Sequence, residues 1–361
     1  GLRIMSETEK VVILGAGIAG ISAAYFCGKK EISYSLYEAA TRPCGLLDGF
    51  EVNGFQFDQA IHLSFATEQT VRDIFDQTPF VTHSPESWCW DQADWLKHPV
   101  HNNLFRLPIA EKVSLISQLV AQPDIEISTY KDWLINQYGE GISAKWALPY
   151  TEKYWTMPAD KLGTQWVGDR VRRADLQEVL HGAFTDVTPD YYYAKEMRYP
   201  KTGGYRAFLD PMLADIEIQL DHKVVKIDTL NRQIWFSNGT STQYRRIINT
   251  LPLPKLIEMI DDVPPSVVVA ASSLMATSID LISVGFNVPQ IQPHLWFYIY
   301  DDDILAARAH SPGIKSGSNV PDGCSSLQFE IYSSPARPQL NSPEEMKENT
   351  MMALKRMGIV S

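Results

Sequence analysis

Cysteine is scarce in this sequence: four in 361 residues (Cys27, Cys44, Cys89 and Cys324), scattered and without a CxxC pair. That distribution argues against a disulfide framework and against a cysteine-built zinc site. No apolar run approaches the roughly 18 residues needed to cross a bilayer, so no integral membrane segment is expected. Residues 1–10 resemble neither a signal peptide nor an anchor, and the expectation is a cytoplasmic protein. Lysine- and arginine-rich runs are missing and the formal charge is −11, which argues against a nucleic-acid partner. His83, His98, His101 and His181 lack metal-ligand spacing, so no metal is expected. No Ser-His-Asp arrangement can be read, and no protein nucleophile stands out. A chain so poor in reactive side chains favours chemistry carried by a cofactor, with the protein supplying orientation and electrostatics. Internal repeats and low-complexity segments are also absent.

What is present is concentrated near the start. Val11-Val12-Ile13-Leu14 reads as a buried strand and Gly15-Ala16-Gly17-Ile18-Ala19-Gly20 as the turn opening a helix. Gly15 permits the tight turn, Gly17 lets backbone N–H groups approach a pyrophosphate, and Gly20 lets the helix lie close on the strand. The phosphates sit at the positive end of that helix. Ser33 to Tyr37 reads as the second strand, and Glu38 at its end can accept both hydroxyls of an adenosine ribose. Strand, turn, helix, strand and acid in this order predict dinucleotide binding.

The rest of the chain suggests discontinuous organisation. At 361 residues, with 45% hydrophobic and 11% aromatic residues, two or three subdomains are expected. Ser87 to Trp95 looks like a pair of short strands. From about Ile109 to Ala194 the pattern is helical, with further helices over Asp160 to Val171 and Ala174 to Phe184. Gly203-Gly204 breaks the chain ahead of a short helix, Tyr205 to Ala214. Four β-like runs follow, from Ile216 to Thr250, and alternating runs between Leu281 and Tyr332 suggest a second, antiparallel sheet. A last helix is expected over Glu344 to Met357. The fold class predicted is α/β: a Rossmann-type domain over 1–80 plus 199–255, a helical insertion over 105–198, and an antiparallel sheet domain over 81–104 plus 256–361.

Several blocks resemble the FAD-dependent amine oxidase and protoporphyrinogen oxidase-like superfamily, and within it the UDP-galactopyranose mutase-like branch. Beside the opening motif stands Glu38-Ala39-Ala40-Thr41-Arg42-Pro43-Cys44-Gly45, which resembles an E-x-x-x-R-x-G-G segment. Phe57 to Phe65 resembles a D-x-G-G-H turn, and His98-Pro99-Val100-His101-Asn102-Asn103-Leu104 a P-x-Q-N-N-L segment. Trp146 to Trp155, Trp166 to Val171, Tyr199 to Gly204 and Ile248 to Pro252 complete the order. Three departures stand out. Gln59-Ala60 replace the glycine pair under the flavin ring, Cys44 replaces the first glycine after Arg42, and the sequence ends at Ser361, ahead of the C-terminal flavin-contacting segment such proteins carry.

The resemblance implies FAD as cofactor, with contacts from Gly15, Ala16, Gly17, Ile18, Ala19, Gly20, Glu38, Ala39, Arg42, Gly45, Leu46 and His62. His62 is placed by it beside the flavin ring, where an imidazole can hydrogen-bond the cofactor edge; a turn histidine in a surface network is the alternative. Val225 lies on a strand contacting adenine, or on a plain core strand. Gly203 and Gly204 either donate N–H groups to a ligand or cap a helix. Arg170 and Arg308 stand where two diphosphate-clamping arginines are expected, since a guanidinium binds phosphate oxygens in a two-point fork; for Arg170 a salt bridge on a helix face is the alternative. With His62 they form the implied catalytic set. Tyr150, Trp155 and Trp166 either line a nucleobase or sugar pocket or belong to the core.

Three functions remain open at this point. The first is flavin N5 chemistry on a nucleotide-activated sugar, a mutase (isomerase) reaction in surface polysaccharide biosynthesis with no net redox change. The second is amine-oxidase-like oxidation of a small-molecule substrate by hydride transfer to FAD. The third is a degenerate, non-catalytic nucleotide-binding protein.

Overall fold

The computed structural model describes residues 10–361 apart from Pro85, Gln122, Pro123, Asp169, Arg170, Tyr192 and Tyr193. The chain forms two compact units. The first runs through Glu51 and takes in His62–Phe80 and Tyr199–Met275; the second comprises Val52–Ile61, Val81–Arg198 and Ala276–Ser361.

The first unit is built on a four-stranded parallel sheet ordered Arg246–Asn249, Val11–Leu14, Tyr34–Tyr37, Ile218–Gln219. Val11–Leu14 is central and apolar throughout, as a strand covered on both faces must be. Its side chains alternate between two cores. Ile13 packs with Leu36, with Ile21 and Ala24 of helix Ile18–Lys29, and with Phe208. Val12 and Leu14 pack instead with Val224, Ile227, Ile234 and Phe236 of a three-stranded antiparallel sheet. Val12, Ile13 and Leu14 are wholly buried, each burial contributing roughly 1.5–3 kcal/mol.

The second unit holds a six-stranded sheet ordered Ser278–Phe286, Ser325–Ser333, Arg308–His310, Trp296–Ile299, Trp88–Asp91, Asp94–Lys97. It is antiparallel except where Trp296–Ile299 runs parallel to Trp88–Asp91. The purely antiparallel expectation is therefore corrected at one joint, where segments about 200 residues apart in sequence meet. Helix Pro343–Arg356, closed by a Ser342–Glu345 capping box, packs Met346, Ala353 and Leu354 into the core that includes Phe297, Phe329 and Ile331. Helices Ile109–Val120, Tyr130–Ile142, Leu148–Trp155 and Leu176–Phe184 supply the insertion, which shares a core with Cys89, Leu96, Val100 and Leu104.

Local differences from the sequence-based expectations have identifiable causes. Where a helix is expected over Asp160 to Val171, the described residues form a short 3-10 turn, Ala159–Lys161, followed by bends and turns as far as Gly168, and Asp169 and Arg170 lie outside the described residues. Tyr205 to Ala214 divides into a 3-10 turn, Tyr205–Leu209, and one helical turn, Asp210–Leu213, with Pro211 in the first turn. Residues 52–61 cluster with the second unit because Lys315 holds Asp58 and Glu330 holds the Ile61 amide. Residues 256–275 cluster with the first, Leu256, Met259 and Ile260 packing against the Val224–Phe236 sheet.

Candidate functional site

The glycine turn of the first unit is held from three sides. Gly15 takes a left-handed conformation (φ +94°) and its carbonyl accepts from Thr250 Oγ1. A Cβ on Gly20 would lie 1.7 Å from the Gly15 oxygen, so helix and strand approach as closely as a backbone can. Gly17, by contrast, has an ordinary φ of −76° as the helix N-cap, and nothing lies within 4 Å of where its Cβ would be. That open space above an uncapped helix N-terminus fits a diphosphate. Glu38 accepts from the Ala16 and Ala40 amides at 2.7 and 2.9 Å, one bond per carboxylate oxygen. Lone pairs remain on both oxygens for ribose hydroxyls.

The neighbouring segment closes over this turn. Gly45 (φ +52°) would bring a Cβ within 3.2 Å of the Gly17 Cα. Cys44 holds the left-handed φ of +85° despite its side chain, so the glycine expected there is replaced without loss of the turn. Ala60 similarly keeps φ +73° where a glycine is expected. Arg42 binds Asp48 through two hydrogen bonds, and Arg206 takes the same carboxylate at 2.7 Å. Burial raises the Asp48 pKa, but these two guanidiniums outweigh it and hold the carboxyl below its usual range. Ile18, Ala19, Ala39 and Leu46 are exposed. His62 Nε2 pairs with the Leu46 carbonyl at 3.1 Å, its ring 5.4 Å from that of Tyr205. Gly203 and Gly204 both have positive φ ahead of the Tyr205–Leu209 turn. Val225 is half exposed beside a bulge in its strand.

The second unit contains a cavity of about 1050 Å³. Its walls follow from an interrupted helix. Thr129 and Asp132 form a capping box that starts Tyr130–Ile142. Gly139 leaves helical geometry (φ +75°, ψ 167°) where the chain passes Gln118, and a Cβ there would sit 2.8 Å from the Gln118 oxygen. Ser143–Ala147 is then π-helical before Leu148–Trp155 continues as α-helix. Trp146 in this wide turn donates to Asp91 at 2.8 Å, fastening it to the sheet. Gly182 presses on the Asn102 oxygen from the far side, where a Cβ would come within 1.7 Å, and fixes the segment carrying His98 and His101.

The lining is aromatic with a cationic component. Tyr150, Trp155 and Trp166, which the sequence leaves open between pocket and core, all face the cavity, as do Tyr154, Tyr298 and Tyr300. Arg308 reaches it from the sheet, its guanidinium 5.5 Å from the Tyr154 ring. Burial opposes the Arg308 charge, but Glu330 and the surrounding tyrosines more than compensate and the group stays protonated. Arg170 lies outside the described residues. Arg172 and Arg173, which no sequence pattern singles out, line the cavity. Arg172 is held by Glu178 at 2.5 and 2.7 Å and stacks 4.5 Å from the Tyr191 ring. Burial pushes His98 down to about 4 and His101 to about 3, so both rings are neutral near pH 7. Among the described residues, His101 Nε2 and the Tyr150 hydroxyl are buried without a hydrogen-bond partner. Lys153, whose charge reads from the sequence as part of a solvated helix face or of an ion pair in the insertion, is buried with its ammonium on the Ile299 and Asp301 carbonyls at 3.0 and 2.8 Å.

A model of the NAD(P)-binding Rossmann-like domain matches residues 13–78. A crystal structure of reduced UDP-galactopyranose mutase is similar across 98% of this chain and 80% of its own, with a TM-score of 0.91 and 25% identity. The chain has the fold of the FAD amine-oxidase-like superfamily. Two further structures share that fold at lower identity. An Exiguobacterium sp. 255-15 protein assigned as a protoporphyrinogen oxidase covers 98% of this chain and 83% of its own (TM-score 0.73, 16% identity). Putrescine oxidase with putrescine bound covers 97% and 81% (TM-score 0.64, 16% identity). The glycine turn lies within the residues that match the Rossmann-like model. Among the described residues, no helix is long and apolar enough to cross a membrane.

Proposed function

We propose that this chain is a flavoenzyme that binds FAD at the Gly15–Gly20 turn and a nucleotide-activated sugar in the second unit's cavity, in the manner of a UDP-galactopyranose mutase. The observation that carries the reading is the cavity wall, where Arg308 and Arg172 stand among stacked tyrosines and tryptophans. Aromatic faces suit a nucleobase and a sugar ring, and guanidiniums suit a diphosphate. The similarity to UDP-galactopyranose mutase supports the same class of ligand.

Gly17 and Gly45 would admit the diphosphate of FAD, Glu38 would take the ribose, and Arg42 would set the loop through Asp48. Val225 would touch the adenine side, and His62, with Gly203 and Gly204, would border the remainder of the cofactor. When bound, FAD supplies the nucleophilic or hydride-accepting centre that no side chain here provides. Arg308 and Arg170 would bind the diphosphate and stabilise the charge that develops as it departs from the sugar. Nε2 of the neutral His101 ring and the Tyr150 hydroxyl, neither with a hydrogen-bond partner among the described residues, would hydrogen-bond the substrate as it displaces water.

The test is an anaerobic incubation of FAD-loaded, dithionite-reduced protein with UDP-galactopyranose, followed by chromatography of the nucleotide sugars. Conversion to an isomer without any electron acceptor is expected. A strict requirement for oxygen or another acceptor would exclude the mutase reading and favour net oxidation.

A further inference from the structure

Arg308 and Glu330 are direct cross-strand partners on adjacent antiparallel strands. Glu330 is wholly buried in the sheet, and a buried carboxylate must be compensated. Its two oxygens do different work. Oε2 takes Arg308 Nε and Nη2, both at 2.8 Å, and the Tyr332 hydroxyl. Oε1 takes the Ile61 amide at 3.0 Å. Tyr332 in turn accepts from Arg308 Nη2 at 3.1 Å. The Nε–Nη2 edge of the guanidinium is thus consumed, while Nη1 has no protein partner among the described residues and Arg308 borders the cavity.

We infer that Glu330 is the positioning residue of the cavity: by occupying one edge of Arg308 it fixes the plane of the guanidinium and presents Nη1 to an anionic group of the ligand. The inference rests on the reading of the cavity as a diphosphate site. A free arginine samples many rotamers, and holding it beforehand removes the ordering cost from binding. Glutamine cannot replace Glu330. It has one acceptor oxygen, whereas Glu330 serves Ile61 on one side and Arg308 with Tyr332 on the other. In one amide orientation the NH₂ group meets Arg308 and Tyr332 and the clamp opens; in the other it meets the Ile61 amide, and Arg308 keeps only a neutral acceptor in place of a carboxylate.

The experiment is calorimetric titration of UDP into wild type, E330Q, R308A and the double variant, with melting temperatures recorded for each. R308A is expected to weaken UDP by tenfold or more, and E330Q to weaken it by about tenfold, the scale of a charge-assisted hydrogen bond. In the R308A background E330Q should change nothing further, because Glu330 acts through Arg308. A merely structural Glu330 would instead cost the same in both backgrounds, which would overturn the inference. Weakening by R308A with none by E330Q would overturn it while leaving the diphosphate reading intact; wild-type affinity in R308A would remove both. Should E330Q fail to fold, Y332F takes its place: a two- to fivefold loss confined to the Arg308 background is expected, and no loss would refute the clamp.

Discussion

The Lys315 ammonium lies 2.6 Å from the Asp58 carboxylate, and neither side chain reaches solvent. The pair fastens residues 52–61 to the last third of the chain. Burial lowers the Lys315 pKa and Asp58 opposes that shift. Lys315→Met leaves a buried carboxylate without its cation and should cost about 3–5 kcal/mol, whereas the double change to Asp58→Asn with Lys315→Met should recover much of the loss. Urea denaturation measures both. A cost below about 1 kcal/mol for the single change would show that the pair is not what holds this segment.

Lys153 gives stability a pH dependence of known sign. Burial lowers its pKa from 10.5 to about 7, with Asp301 and Asp302 countering in part. Between pH 7 and about 10 the unfolded chain therefore binds more protons at this position than the folded one, and stability rises with pH. Relative to Lys153→Met, the wild type should gain up to about 1.4 kcal/mol per pH unit across that window. Denaturation of both proteins at pH 7, 8 and 9 checks this. A difference that stays flat, or falls, contradicts it.

His98, His101 and His294 are depressed by burial to about 4, 3 and 4 respectively. Their rings should remain neutral down to pH 5, where an ordinary surface histidine is mostly charged. Nitrogen-15 ring shifts in histidine-labelled protein report this directly, with His→Gln variants for assignment. A titration midpoint near 6.5 for His101 would mean that the cavity wall is open to water.

Gly139 sits at a backbone conformation that is almost exclusive to glycine, with the Gln118 carbonyl and the Leu119 Cα both within 3 Å of a prospective Cβ. Gly139→Ala should therefore destabilise the second unit by about 3 kcal/mol or more, combining backbone strain with overpacking. Chemical denaturation gives the value. A near-neutral substitution would imply that the helix need not break there.

The glycine turn is legible in the sequence because Gly15, Gly17 and Gly20 stand at fixed spacing directly after the uniformly apolar strand Val11–Leu14. The strands near Trp88, Trp296 and Ser326 are visible as alternation. The cavity is not, because it is assembled from segments far apart in the chain. Arg172 and Arg173 carry no local pattern that separates a cavity wall from a solvated face. Lys153 reads as part of a solvated face or of an ion pair for the same reason, and only the carbonyls of Ile299 and Asp301 reveal otherwise. The Glu330 clamp leaves no local signal either, because Leu327-Gln328-Phe329-Glu330-Ile331 alternates apolar and polar residues as a strand with one solvated face would. The π-helical Ser143–Ala147 turn leaves none, since its residues suit an ordinary helix.

The most direct test of dinucleotide binding separates two glycines of one turn. Gly17 has room for a side chain in the protein alone, so Gly17→Val should fold normally and block only the diphosphate. Gly20→Ala, meeting the Gly15 carbonyl at 1.7 Å, should lose the fold itself. The measurement is quenching of flavin fluorescence as FAD is titrated with wild-type and Gly17→Val protein of matched melting temperature. We predict at least a tenfold loss of affinity in the variant; equal affinity would mean that FAD, if bound at all, is not held at this turn.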